Sequence, residues 1–166
     1  MADKENGADA TAAGTTGEAE PRRSLIVNAQ YIKDLSFENP RAPASLMQPQ
    51  APELQVNVDV GAGTLGNDRY EVVLTIHARA TAKGETLFVV ELAYGATVTL
   101  TNMRQEDVPQ ALLVETPRLL FPFARGIVAD VTRDGGFPPV FMQPIDFNEL
   151  LRRQTAAQAQ APAANA

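Results

Sequence analysis

The sequence predicts an α+β fold: a four-stranded antiparallel sheet with a long kinked helix and a short C-terminal helix on one face. Three observations lead there. Apolar and polar residues alternate over four stretches between residues 25 and 100, the period of half-buried strands. Short turns join the last three stretches, as in an antiparallel meander. From Gln105 to Asp134 the apolar residues crowd at helical spacing instead.

Strand one spans Leu25 to Glu38. Leu25, Val27, Ala29, Tyr31, Leu35 and Phe37 are expected on one face, and Asn28, Gln30, Asp34, Ser36 and Glu38 on the other. Residues 39–52 contain Pro40, Pro43, Pro49 and Pro52. Each removes a donor and biases its predecessor towards extended backbone, so a long irregular connection is expected. Leu54, Val56, Val58 and Val60 mark strand two, and Gly61 to Asp68 reads as a glycine-rich turn. Tyr70, Val72, Leu74, Ile76, Ala78 and Ala80 mark strand three. After the tight turn Ala82-Lys83-Gly84-Glu85, the inner face of strand four runs Phe88, Val90, Leu92, Tyr94, Ala96, Val98 and Leu100.

In the helical region, Thr116-Pro117 reads as an N-cap followed by proline at the first helical position. Pro122 should bend that helix, because its nitrogen carries no hydrogen for residue 118. Gly135-Gly136 stops it, and a proline-punctuated loop, Phe137 to Pro144, follows. Asp146-Phe147-Asn148-Glu149 resembles a capping box that opens a short helix displaying Phe147, Leu150 and Leu151. The helix near residues 118–133 is apolar on too many sides for one sheet face to bury, so an oligomer is expected.

Composition bounds the function. The chain has 166 residues, 45% apolar and 20% charged, with net charge −6, which fits one domain. Residues 1–20 hold five acids and one base, so most of the net charge sits on a segment too poor in large apolar residues to fold. Residues 1–23 therefore read as a disordered acidic arm, 24–153 as the folded domain, and 154–166 as a flexible Ala/Gln-rich tail. No apolar run is long enough for membrane insertion, and the polar, acidic N-terminus is unlike a secretory signal. A cytoplasmic protein is expected. The acidic balance, without a basic patch, argues against nucleic-acid binding.

Chemistry is sparse. There is no cysteine and one histidine, which excludes thiolate metal sites, cysteine nucleophiles and multi-imidazole centres. His77 on strand three is a candidate general base; without a nucleophile motif, a solvated strand histidine is the preferred reading. Gly61, Gly63 and Gly66 lack the Lys-Ser/Thr ending of a phosphate loop. Glu106-Asp107 are read as helix-start carboxylates rather than acid/base catalysts. No metal spacing, cofactor or enzymatic activity is expected. Two surfaces are more informative. By parity, Asp34, Ser36 and Glu38 share an outward face with Val89 and Glu91, provided strands one and four are close; such a face suits a basic partner. Leu46, Met47, Phe137, Phe141 and Met142 lie in proline-broken loops, where they either cap the core or line a groove for extended apolar peptide.

Over residues 24–153 the sequence resembles the SecB family of bacterial protein-export chaperones. The resemblance rests on Y-I-K-D-L-S-F-E-N-P-R-A-P at 31–43, Y-E-V-V-L at 70–74, L-L-F-P-F-A-R at 119–125, G-G-F-P-P at 135–139 and P-I-D-F at 144–147. It implies a homotetramer, a dimer of dimers with the long helices central, that binds unfolded precursor proteins without ATP. It also implies delivery to the translocation ATPase SecA, whose basic, zinc-binding tail docks on the acidic sheet face. Carried over by motif position, the SecA-binding residues are Asp34, Glu38, Val89 and Glu91, and the client-binding residues Leu46, Met47, Phe137, Phe141, Met142 and Phe147. The alternative within the same fold is a SecB-like chaperone dedicated to a toxin–antitoxin system.

Overall fold

The structure, a computed structural model, describes residues 22–47 and 51–160. The acidic arm up to residue 21 and the tail after residue 160 lie outside those residues.

Four strands form one antiparallel sheet: β1 (Ser24–Glu38), β2 (Glu53–Gly66), β3 (Arg69–Ala82) and β4 (Glu85–Thr101), in spatial order β1-β4-β3-β2. The meander β2-β3-β4 follows from its turns. Asn67 and Asp68 have φ of 53° and 57°, and Lys83 and Gly84 have φ of 52° and 79°. Paired left-handed residues are what a two-residue hairpin needs to match strand twist. β1 and β2 occupy opposite edges. Among the described residues between them is the short helix α1 (Ala44–Met47), where the prolines suggest irregular backbone.

The alternation within β3 and β4 is that expected. Val72, Leu74, Ile76, Ala78, Val90, Leu92, Ala96 and Val98 are all buried on one face. Against that face packs a continuous helical segment: α2 (Val108–Gln110), a π turn (Ala111–Glu115) and α3 (Thr116–Asp134). It contributes Val114, Leu120, Ala124 and Val128 to the core. The last helix, α4 (Phe147–Gln160), closes one end through Phe147, whose ring meets Phe121 edge-on at 6.0 Å.

Four sequence expectations are corrected. Thr116 is not an N-cap. It lies inside the helix at φ −60° and ψ −54°, fully buried, with its hydroxyl donating to the Ala111 carbonyl at 2.8 Å. The wider π turn admits Pro117, whose ring would otherwise meet the preceding turn. Gly61 to Gly66 belong to β2 rather than to a turn, because Gly61↔Val73, Ala62↔Val72 and Gly63↔Glu71 are paired. β1 does not keep one parity: bulges between Val27 and Ala29 and between Ile32 and Asp34 turn Ala29 and Tyr31 outward and Gln30 and Ile32 inward. Finally, α4 continues past Arg153 to Gln160, and Gln154 reaches back to the Asp59 carboxylate on β2.

The helix boundaries otherwise follow the residues. Asp146 Oδ1 accepts the amides of Asn148 at 2.9 Å and Glu149 at 3.2 Å, capping α4. Asp107 precedes α2 but makes no side-chain cap; Arg104 and Arg23 hold its carboxylate at 2.9 and 3.0 Å and its pKa below the usual range. α3 ends in a Schellman arrangement. The Gly136 amide donates to Arg133 O at 3.0 Å and Phe137 to Thr132 O at 3.1 Å, with Gly136 at φ +90°.

Candidate functional site

Two surfaces on opposite sides of the sheet are candidates. The outer face of β1 and β4 brings together all four residues of the expected acidic patch. The pairing is Asp34↔Ala93, Ser36↔Glu91 and Glu38↔Val89. Paired residues share a face, so Asp34, Glu38, Val89 and Glu91 point the same way. Asp34, Glu38 and Glu91 are exposed and Val89 is half-buried between them. The two bulges in β1 set the spacing. Without them the pairing Leu25↔Leu100 would run on to place Asp34 directly opposite Glu91. Like charges in that position repel by about 0.2–1 kcal/mol. The observed offset puts Ala93, Ser36 and Val89 across from the carboxylates, spreading negative charge over a flat surface with an apolar centre.

Two basic side chains of β3 border the patch. Arg79 lies in register with Val89 and donates to Thr86 Oγ1 at 2.7 Å. His77 lies in register with Glu91, and its Nε2 is 3.1 Å from Oε1. It is an outward, half-exposed strand residue, as the plainer sequence reading has it. Among the described residues, neither Asp34 nor Glu38 takes part in an ion pair. A basic partner therefore meets two carboxylates, Asp34 and Glu38, that it does not have to strip from an ion pair, while Glu91 is shared with His77.

The second surface is an apolar groove beside β2, on the helix side of the sheet. One part, about 450 Å³, is walled by Leu46 of α1, Leu54 of β2, Phe88 of β4 and Phe137 to Phe141 of the loop after α3. A second part, about 610 Å³, is lined by Val56, Val58, Met142, Ile145 and Leu150. Leu54 and Phe141 belong to both, so the two parts are contiguous. Local structure holds the wall in place. The Schellman turn launches the 137–142 segment from α3. The buried Thr132 hydroxyl accepts the Val140 amide at 3.0 Å. Phe137 packs at a tilt into a trio with Phe88 at 4.8 Å and Phe37 at 6.4 Å.

The expected groove residues divide. Leu46 and Phe141 line the groove and expose 46% and 66% of their surface, and Phe137 is half-buried in the wall; Met47, 77% exposed, lies next to Leu46 on α1 but does not line the groove. Met142, 5% exposed, supplies only the groove floor. Phe147 is corrected to a core residue: at 1% exposure it fills the space between α4 and α3. Sequence reading missed Leu54 and Val56, which line the groove although they sit on the inner face of a strand. Their burial was the natural expectation; β2 is an edge strand that the helices do not fully cover, leaving them 43% and 36% exposed.

Comparison with known proteins decides the family. The family described as Preprotein translocase subunit SecB matches residues 18–158. A protein-export protein SecB of a Bradyrhizobium strain is 51% identical over 150 residues, covering 87% of this chain and 93% of the relative. That of Paramagnetospirillum magneticum is 53% identical over 148 residues, covering 88% and 94%. The chain belongs to the SecB family. Among solved structures, a SecB-like chaperone of Mycobacterium tuberculosis in complex with a ChAD peptide from an antitoxin superposes with a TM-score of 0.62 at 13% identity. The match covers 73% of this chain and 90% of that one. At that identity it shows the SecB-like fold alone.

Proposed function

We propose that this protein is an ATP-independent export chaperone of the cytoplasm. It binds unfolded precursor proteins, keeps them competent for translocation and hands them to SecA. Family membership at about half identity supports that reading over a chaperone dedicated to an antitoxin. The observation that carries it is the separation of two surfaces by the sheet. The apolar groove lies along β2 and the helix side, and the acidic patch lies on the outer face of β1 and β4. One surface can hold a client while the other engages the partner that takes it.

Clients dock through Leu46, Met47, Leu54, Phe137 and Phe141. Covering one large apolar client side chain is worth about 1.5–3 kcal/mol, so several such contacts along an extended chain give useful affinity without sequence specificity. A client that folds hides those side chains and leaves, so no catalytic chemistry is needed. Asp34, Glu38, Val89 and Glu91 form the SecA site, where three carboxylates around a half-buried valine complement a basic segment.

The working unit is a homotetramer, a dimer of dimers. Leu119 and Phe123 of α3 are 50% and 54% exposed while Leu120, Ala124 and Val128 are buried, so one helix face enters the core and the other is left for a second copy. Among the described residues no helix is long and apolar enough to cross a membrane. The test is the refolding rate of a denatured, slow-folding secretory precursor, with and without about one tetramer per client chain. Strong suppression without ATP is expected; unaltered refolding of several precursors would sink the reading.

A further inference from the structure

A polar cluster on the outer sheet face lies beside the acidic patch without belonging to it. Glu71 of β3 accepts the Tyr31 hydroxyl at 2.5 Å and the Lys33 ammonium at 2.8 and 2.9 Å. Tyr31 and Lys33 come from β1, so both reach across β4 to meet a strand that β1 does not touch. They can do so because Gly95 of β4, paired with Tyr31, has no side chain. A Cβ there would stand 2.7 Å from the Tyr31 ring.

The cluster flanks the second bulge of β1. After the first bulge, residues 29–32 have inverted faces; if pairing simply continued from Ile32↔Tyr94, Asp34 would lie opposite Leu92 and point at the core. The second bulge, at Lys33, returns Asp34 to the outside and sets Ser36 and Glu38 in their offset against Glu91. We propose that the Tyr31–Glu71–Lys33 cluster is the positioning device of the docking face: by tying the bulged residue, Lys33, and Tyr31 just before it to β3, it holds Asp34 and its neighbours outward. Tyr31, Lys33 and Glu71 are thus positioning residues for the partner site. This inference rests on the SecA-docking reading above.

The rival account, a surface ion pair without consequence for docking, makes the opposite prediction for one variant. Lys33→Met removes a positive charge beside an acidic patch, so simple electrostatics predicts equal or tighter binding of a basic ligand. Loss of positioning predicts weaker binding, by about three- to tenfold. The probe is the zinc-loaded carboxyl-terminal peptide of SecA, titrated calorimetrically into the full chain. Tyr31→Phe, which alters no charge, is expected to weaken binding in the same direction. Suppression of precursor refolding should be unchanged in both, because neither residue touches the groove. Amide exchange at Asp34 and Leu35 gives a partner-free readout and should accelerate in both variants. Equal or tighter peptide binding by Lys33→Met, or exchange identical to the parent, overturns the proposal. Glu91→Lys separates the two claims. If it binds the peptide like the parent, the docking reading fails and the cluster stands or falls on amide exchange. If it loses binding while Lys33→Met does not, the positioning proposal fails alone.

Discussion

Gly135→Ala tests how tightly the groove wall is coupled to the strand that carries the acidic patch. Gly135 closes α3 at φ −72°, a conformation alanine adopts without strain, so backbone geometry alone predicts a slight gain. The surroundings predict the reverse. A Cβ at Gly135 would lie 2.1 Å from Cζ and 2.5 Å from Cε1 of Phe37. Ordinary carbon contacts are about 3.5–4.0 Å, so the ring must retreat by more than an ångström. It has little room, because Phe88 stacks on it with centroids 5.9 Å apart and Phe137 sits at 6.4 Å. Overpacking of this kind costs about 1–3 kcal/mol, against about 0.4–1 kcal/mol gained from a stiffer unfolded chain. A net loss of about 1–2 kcal/mol is expected, a roughly 5- to 30-fold fall in the folded-to-unfolded ratio. Urea unfolding at one fixed protein concentration reads it as a lower midpoint with unchanged slope. Phe37→Leu should relieve the clash, giving the double variant a favourable coupling above about 0.5 kcal/mol. A Gly135→Ala chain as stable as the parent, or strictly additive variants, would refute the reasoning.

Three further outcomes follow. Thr132 is fully buried, its hydroxyl donating to Val128 O at 2.9 Å and accepting from Val140 N at 3.0 Å; Thr132→Val strands that amide and should cost about 1–3 kcal/mol in urea unfolding. The Glu71 carboxylate, chiefly by accepting its hydrogen bond, holds the Tyr31 phenol up to about 12, so the stabilisation it brings is complete below the ordinary value of 10.0 and is lost as pH rises towards 12. Alkaline titration of the phenolate absorbance should show a late phase from Tyr31, absent in Tyr31→Phe and lowered in Glu71→Gln. Glu71 itself is held below the usual carboxylate range, first by Lys33 and then by Tyr31, so its stabilisation is present near neutrality and lost as pH falls through its depressed value. Phe123→Glu places a charge on the uncovered face of α3 and should shift sedimentation from a tetramer to smaller species; an unchanged mass would move the interface elsewhere.

Much of this was legible in the chain, and the failures have physical reasons. The inner faces of β3 and β4 follow from alternation because the helical segment, with the loop after α3 at the Phe88 end, covers those central strands. The acidic patch survives parity counting even though β1 has two bulges, because two single-residue insertions restore the face while shifting register. Between them parity fails, which is why Tyr31 and Ala29 were expected on the wrong side. The true partner of Tyr31, Glu71, is 40 residues away, and no local pattern reports it. The glycines at 61–66 read as a turn because glycine weakens strands, yet β3 supplies a partner for Gly61, Gly63 and Gly66, leaving out only Leu65 at a bulge. Thr116-Pro117 has the spelling of a helix start, and only the π turn explains why the helix continues through it. Resemblance points Phe147 to the groove, and α4 folds it into the core instead.

The central claim is that client and partner use separate surfaces. Its most direct test pairs Glu91→Lys with Phe141→Asp and measures both functions of each: binding of the SecA tail peptide and suppression of precursor refolding. The account predicts a crossed result. Glu91→Lys should lose the peptide and still hold precursors, while Phe141→Asp should bind the peptide normally and let precursors fold. Loss of both functions in either correctly folded variant would contradict it.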